Sequence, residues 1–253
     1  MNFNGKVVIV TGSSSGIGAA IAIKFAEQGA KVAIVGRNEN KLKDVAKKCN
    51  NPLIIVADVT KDDGVKKIIN ETVKRFGKID VLINNAGMGW FTSIKEENAL
   101  EAYNAVMATN LHAVVHLTHL AVPHIIKTKG NIVNISSIAG ISVSFKGGFP
   151  YHMSKAALDH FTRSIASELA SSGVRVNSVN PGPVKTDIIE NMGTTKQEEE
   201  ATWDLMKKMT ALKRISDGEE IADLVSFLAS DLARGITGSI FVSDNGALVN
   251  SNF

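Results

Sequence analysis

Lys6-Val-Val-Ile-Val-Thr11-Gly12-Ser13-Ser14-Ser15-Gly16-Ile17-Gly18 is the stretch that decides the fold. Its first six residues form a short, continuous apolar run, as expected of a strand buried on both faces. The glycine turn then opens into Ala19-Ala-Ile-Ala-Ile-Lys-Phe-Ala26, helical in pattern and closed by Gly29. The order strand, glycine turn, helix matters more than the glycines themselves. Gly12 permits a tight turn, Gly16 lets backbone approach a pyrophosphate, and Gly18 lets the helix pack on the strand. Free N–H groups at the helix start then face phosphate, which makes Ser14, Ser15 and Ile17 candidates beside the glycines. A glycine-rich turn with no ligand is the plainer alternative. A second apolar strand, Lys31-Val-Ala-Ile-Val35, completes a βαβ unit.

The end of that second strand bears on the nucleotide. A carboxylate there would accept hydrogen bonds from a ribose 2′-hydroxyl, whereas a cation suits a 2′-phosphate. Gly36 stands at that position, followed by Arg37 and Asn38. The missing acid and Arg37 both point to NADP(H), with NAD(H) still possible, and Arg37 and Asn38 are the candidate cofactor contacts here. Ser15 occupies the turn position where a second basic residue would strengthen the case, and an ordinary solvated Arg37 is the alternative.

The alternation continues through a third strand, Pro52-Leu-Ile-Ile-Val-Ala57, ending in Asp58-Val59, and an amphipathic helix over 62–76. A fourth strand, Asp80-Val-Leu-Ile83, runs into Asn84-Asn85-Ala86-Gly87. A fifth, Asn131-Ile-Val-Asn-Ile135, ends at Ser136-Ser137. Alternating strands and helices imply right-handed crossovers, a parallel sheet, and ligands at the strands' carboxyl ends. Gly12, Gly36, Asp58, Asn85 and Ser137 all fall at such ends. Ala86 and Gly87 are small enough for a flat ring to lie against the backbone.

Composition bounds the function. With 253 residues, 44% of them hydrophobic, the chain can bury a large core as one α/β domain. The net charge of +3 is small and spread out, without the basic run of a nucleic-acid arm. Cys49 is the only cysteine, so neither an internal disulfide nor a cysteine metal site is possible. A β-like run from Lys6 leaves no room for a signal peptide, and His116, His119, Pro123 and His124 interrupt the most apolar helix, over 113–126. The expectation is a cytoplasmic protein with no membrane span.

Pro150-Tyr151-His152-Met153-Ser154-Lys155 adds a chemical pair. On a helix from 151 to about 170, Tyr151 and Lys155 share a face, and a nearby cation favours a phenolate. By itself the pair is weak evidence, since Tyr and Lys four apart are usually a surface helix pair. A long helix over 98–127 carries Asn110 and the row His112, His116, His119. That row lies on the side away from the cleft, with no acid in the same turns; a subunit contact or solvated face fits it better than a metal. The sequons at Asn70 and Asn134 are read as chance matches.

Taken together, TGSSSGIG at 11–18, NNAG at 84–87, Asn110, Ser137, YHMSK at 151–155 and NPGPVKT at 180–186 resemble the short-chain dehydrogenases/reductases, including the 3-oxoacyl-acyl-carrier-protein reductases. The resemblance spans the whole chain, to EEIADLVSFLAS at 219–230. It implies a single doubly wound Rossmann domain over 1–253, a seven-stranded parallel sheet with helices on both faces, and a substrate flap around 186–210. It further implies a catalytic tetrad of Asn110, Ser137, Tyr151 and Lys155 and a homotetramer. Tyr151 would act as general acid/base, Ser137 would bind the same oxygen, and Lys155 would depress the Tyr151 pKa and hold the nicotinamide ribose. Asn110, through its backbone and a water, would tie Lys155 to a proton relay. Asp58 and Val59 would hold the adenine end, and Asn85 to Gly87 the nicotinamide side. Pro181, Gly182, Val184 and Thr186 would meet the carboxamide.

The chain departs from the family pattern in three places. The Ser137–Tyr151 spacing is one residue longer than usual, with Ser136 as the lesser alternative for the serine role. Asp244-Asn245-Gly246 replaces Asp-Gly-Gly. Ser172 stands where a basic carrier-protein docking residue is expected, although Lys127 and Lys129 lie near another such place. Met88, Trp90, Phe91, Phe145, Phe149, Ile188, Ile189, Met192, Trp203, Leu205 and Met206 supply an apolar substrate wall, or else core and interface packing. The expected function is NADPH-dependent reduction of a hydrophobic ketone, reversible as an alcohol dehydrogenase. The alternatives are NAD-dependent hydroxyl oxidation and a non-catalytic redox sensor.

Overall fold

Seven short strands, all parallel, form one sheet in the order β3-β2-β1-β4-β5-β6-β7. They are β1 Val7–Thr11, β2 Lys31–Gly36, β3 Leu53–Val56, β4 Val81–Asn84, β5 Asn131–Ile135, β6 Arg175–Pro181 and β7 Ile240–Ser243. The computed structural model of the chain describes residues 1–143, 145–186 and 196–250. The helices are α1 Gly16–Glu27, α2 Glu39–Ala46, α3 Asp62–Phe76, α4 Ala99–Met107, α5 Ala113–Thr128, α6 Phe149–Leu169, α7 Lys196–Met209 and α8 Gly218–Ala229.

Alternate residues of β1 divide the core. Val8 and Val10 pack with Ile21 and Phe25 of α1, Leu42 of α2 and Ile221 and Val225 of α8. Ile9 faces the other layer, with Val65 and Ile68 of α3 and Leu117 and Ile125 of α5. All of β1 is buried. At ~1.5–3 kcal/mol per fully buried aliphatic side chain, burial rather than strand propensity holds this five-residue element. Its N-terminal end is pinned by Asp80, which accepts from Val7 N at 2.8 Å and pairs with Lys6 and Lys78. Asp80, which the apolar pattern places at the start of β4, lies one residue before it and serves as the clamp.

The run from Ala99 to Thr128 is helical throughout, and at Ala108–His112 it widens into a π-helical turn between α4 and α5. The histidines and Pro123 do not interrupt it: Pro123 lies inside α5 on an exposed position, where one lost i→i−4 bond is tolerated. The run is long and apolar enough, by length and composition, to cross a membrane. Here its apolar face, including Ala102, Val106, Leu117, Ala121 and Ile125, is buried in the protein's own core. His116 Nε2 lies 3.3 Å from Asp62 Oδ1 of α3 and its ring 6.3 Å from that of His112. The fold thus supplies an acid from another helix that the local sequence lacks. Among the described residues no three His, Cys, Asp or Glu converge for a metal.

Candidate active site

The carboxyl ends of β1 to β4 open onto a cleft of about 240 Å³. Gly12, Ser14, Ser15, Arg37, Asp58, Val59, Asn85, Ala86 and Gly87 line it, together with Val35, Gly36, Ala57, Thr60, Met88 and Thr109. Sheet topology gathers these residues: each strand delivers its last residues to the same edge.

The glycine turn is shaped by what surrounds it. Gly12 takes φ +65° and Gly16 φ +54°, in the left-handed region. A Cβ at Gly12 would stand 2.9 Å from Ala86 Cα, and one at Gly18 would run into the Gly12 carbonyl and Asn85 Nδ2. Asn85 donates to the Thr11 and Gly12 carbonyls at 2.8 and 3.2 Å. Thr11 Oγ1 accepts from Asn85 N and Ala86 N, both at 3.0 Å. The Asn85 side chain therefore holds the turn against β4, while its backbone and its neighbours line the cleft. Thr186 closes over the other side, its Cγ2 3.0 Å from where a Gly16 Cβ would be.

At the far wall, Asp58 accepts from Thr60 N at 2.9 Å and Thr60 Oγ1 at 2.8 Å. Partial burial opposes its ionisation, but those bonds and the charges of Arg37 and Lys61 outweigh it and hold the carboxyl below its usual range. Arg37 is exposed. Asn38, expected to meet the cofactor, turns its side chain to cap α2, accepting from Lys41 N at 3.0 Å.

Beyond Gly87 lies a second cluster. The Ser137 side chain lies near the Tyr151 hydroxyl, close enough to favour its ionised form. Ser136, by contrast, is buried with its hydroxyl on the Lys155 carbonyl at 3.2 Å, so only Ser137 faces Tyr151. The lengthened loop between them contains a short 3-10 turn at Ile138–Gly140, and α6 begins two residues ahead of Tyr151. Lys155 Nζ lies 5.6 Å from the Tyr151 ring centroid and donates to the Ile135 carbonyl at 2.8 Å.

Asn110, in the π turn, is 1% exposed. Its Oδ1 accepts from Met88 N at 2.8 Å, and its Nδ2 donates to Met88 O at 2.9 Å and Ser154 Oγ at 3.0 Å. Its side chain thus clamps the loop after β4 onto α6. A Cβ on Gly87 would lie 3.3 Å from Asn110 Oδ1 and 3.7 Å from Lys155 Nζ, so this glycine joins the cluster to the cleft.

Electrostatics depart from expectation in one respect. Burial raises the Tyr151 pKa above its ordinary value, with Ser137 pulling it back only in part. The Lys155 ammonium donates to the Ile135 carbonyl rather than to the Tyr151 hydroxyl. Burial brings Lys155 itself down to about 8, with Asp159 acting in the opposite direction.

Pro181 ends β6, and Gly182 N donates to Ser243 O at 2.9 Å. Val184 is buried and pairs with Ser216. This segment carries the chain from the sheet edge to Thr186 above the glycine turn. Asn245, the departure from Asp-Gly-Gly, takes φ +51° and donates to Ser216 Oγ at 2.9 Å, an asparagine adopting the left-handed geometry expected of a glycine. Of the apolar wall, Phe91 meets the Tyr151 ring edge-on at 6.2 Å and Phe145 packs on Phe91 at 5.0 Å. Ile188, Ile189 and Met192 lie outside the described residues. Thr109 and Met88 also line the cleft; their only sequence signal as cofactor contacts is adjacency to Asn110 and to NNAG.

A family model described as enoyl-(acyl carrier protein) reductase matches residues 12–247. The L-fucose dehydrogenase of Bos taurus is 34% identical over 245 residues, covering 97% of this chain and 90% of the relative. A 3-oxoacyl-[acyl-carrier-protein] reductase of Thermotoga maritima is 34% identical over 264 residues, covering 98% and 100%. The crystal structure of a Caenorhabditis elegans short-chain dehydrogenase/reductase of unknown function, solved with cofactor, superposes with a TM-score of 0.93 at 38% identity, covering 99% of this chain and 97% of that one.

Proposed function

The chain belongs to the short-chain dehydrogenase/reductase family, oxidoreductases of alcohol and carbonyl groups, and on that premise we propose that it is an NADPH-dependent carbonyl reductase, reversible as an alcohol dehydrogenase. The observation that carries the reading is the Ser137–Tyr151 hydroxyl pair with Lys155 one turn away, beside a glycine-lined cleft.

A nicotinamide cofactor fits the residues present and would supply the hydride. Gly12, Ser14, Ser15, Gly16, Ile17 and Gly18 would hold its pyrophosphate and Arg37 a 2′-phosphate. Asp58 and Val59 would take the adenine, Asn85, Ala86 and Gly87 the nicotinamide side, and Pro181, Gly182, Val184 and Thr186 the carboxamide. The fit rests on the donor set: the glycine turn, the Asp58 carboxylate and the Asn85 to Gly87 segment all line one cleft of about 240 Å³. Tyr151 gives its proton to the carbonyl oxygen as negative charge develops there, and the Ser137 hydroxyl steadies that oxygen. A raised Tyr151 pKa keeps the proton in place until it is needed. Lys155 would hold the ribose and, through the Asn110 backbone and a water, return a proton to Tyr151.

Phe91 and Phe145 are 40% and 38% exposed beside Tyr151, an apolar surface suited to a hydrophobic ketone. We assign the chain one domain and a cytoplasmic homotetramer by family resemblance; of the expected substrate flap around 186–210, residues 187–195 lie outside the described residues. The second reading follows from Arg37 being exposed: if it only meets solvent, the cleft takes NAD and a hydroxyl is oxidised, as the name of the bovine L-fucose relative describes for that protein. A panel of ketones with NADPH and of alcohols and sugars with NAD separates the readings. NADPH-driven ketone turnover is expected. Sugar oxidation confined to NAD would favour the second reading, and tight binding without any turnover would favour a redox sensor.

A further inference from the structure

Asp159 is a carboxylate 4% exposed, on α6 one turn beyond Lys155, and the chemistry above makes no use of it. A charge so deeply buried is costly unless its oxygens are fully engaged. Its Oδ2 accepts from Asn180 Nδ2 at 2.7 Å and its Oδ1 from Ser178 Oγ at 3.1 Å. Ser178 Oγ also lies 2.8 Å from Asn180 Oδ1. Asn180 Nδ2 has a second hydrogen, and it goes to the Ser137 carbonyl at 2.9 Å. One amide thus ties the carboxylate to the backbone of the residue whose hydroxyl meets Tyr151. Gly140, in the turn after Ser137, packs against both Asp159 and Lys155: a Cβ there would stand 2.8 Å from Asp159 Oδ2 and 2.8 Å from the Lys155 carbonyl carbon.

Around Lys155 the titratable groups are Tyr151 and Asp159, both on α6. β5 offers the Ile135 carbonyl and the Ser136 hydroxyl, the π turn offers the Asn110 amide, and the loop after β4 offers only Gly87. Among the described residues Asp159 is therefore the one anion acting on the buried ammonium. It reaches Lys155 through space, because its oxygens are taken by β6.

We infer that Asp159 is a positioning residue for the proton-transfer set: the counter-charge of Lys155 and, through Asn180, the anchor of the Ser137 segment. The inference rests on the reading of Tyr151, Ser137 and Lys155 given above. Lys155 works protonated, so removing a neighbouring anion makes it lose its proton at lower pH. In Asp159→Asn, which keeps shape and removes charge, the alkaline limb of kcat/KM moves to lower pH by about one unit. Activity well below that limb stays within severalfold of wild type. NMR of the protein labelled at lysine 13Cε, with the Lys155 signal assigned by its loss in Lys155→Arg, shows the same displacement without substrate. Should wild type turn over no carbonyl at all, the functional reading fails, while the NMR titration still decides the place of Asp159. An unmoved pH limb and an unmoved Lys155 titration overturn the counter-charge. Asn180→Ser keeps the carboxylate and breaks the bridge; it lowers kcat at every pH and leaves the limb in place, and a wild-type kcat overturns the anchor. If Asp159→Asn does not fold by circular dichroism, Asp159→Ser takes its place in the titration. If neither folds, Asn180→Ser decides the anchor, and Asp159→Glu, which keeps the charge, decides the counter-charge by leaving the Lys155 titration in place; a displaced titration overturns it.

Discussion

Tyr151 does its work through one hydroxyl, so the sharpest test removes that oxygen alone. Tyr151→Phe is expected to cut kcat by about 10²–10⁴, the usual worth of a general acid, with NADPH binding by fluorescence nearly unchanged. Lys155 sets the pH range. Its pKa of about 8 means that the ammonium is lost as pH rises through that value, so kcat/KM for reduction should fall on the alkaline side. A profile flat to pH 10 would count against that assignment. The sequence exposed the identities of these residues through their spacing and order. It hid the Tyr151 environment, because burial of its hydroxyl and capture of Lys155 by Ile135 depend on β5 lying beneath α6. The Asn110 side chain holding Met88 was hidden for the same reason: the partners are 22 residues apart and meet only in the folded chain.

Elements were more legible than their edges. Apolar runs and glycine stops located β1 to β5 and α3 because strand burial and helix periodicity are written locally. The π turn at Ala108–His112 left no such mark. Asn38 shows how a local signal can be read two ways, since an asparagine after a strand suits both a nucleotide contact and a helix cap. Asn38→Ala should destabilise the protein by ~1 kcal/mol, the typical worth of an N-cap, as read by urea denaturation, with Asn38→Ser recovering most of it. NADPH and NADH Michaelis constants should stay put, because the side chain is turned to Lys41.

For the molecule as a whole, the cleft makes folding and cofactor binding one linked equilibrium. NADPH at about 100 times its Kd should add ~2.7 kcal/mol of stability, seen as a rise in Tm of roughly 5–10 °C for a chain of this size. Arg37→Ala should raise the NADPH Michaelis constant far more than that for NADH, and equal effects would sink the NADP(H) assignment. The sheet and its carboxyl-edge cleft were legible because parallel connection leaves few topologies. The substrate was not, since Phe91 and Phe145 come from separate loops and meet over Tyr151 only in three dimensions.

The π turn also solves a problem of phase. Ala99 and Ile125 are both buried on one helical run, yet 26 residues at about 100° each end roughly 80° past a whole number of turns. A π turn absorbs about one residue, and 25 steps end only about 20° short of seven turns. The same extra residue that places Asn110 against Met88 thus brings α5 back into step with α4. Loss of any one residue from Ala108–His112 would swing α5 by about 100° and turn its apolar stripe out of the core. Site geometry and core packing are therefore set by a single irregularity, and neither can be altered there without the other.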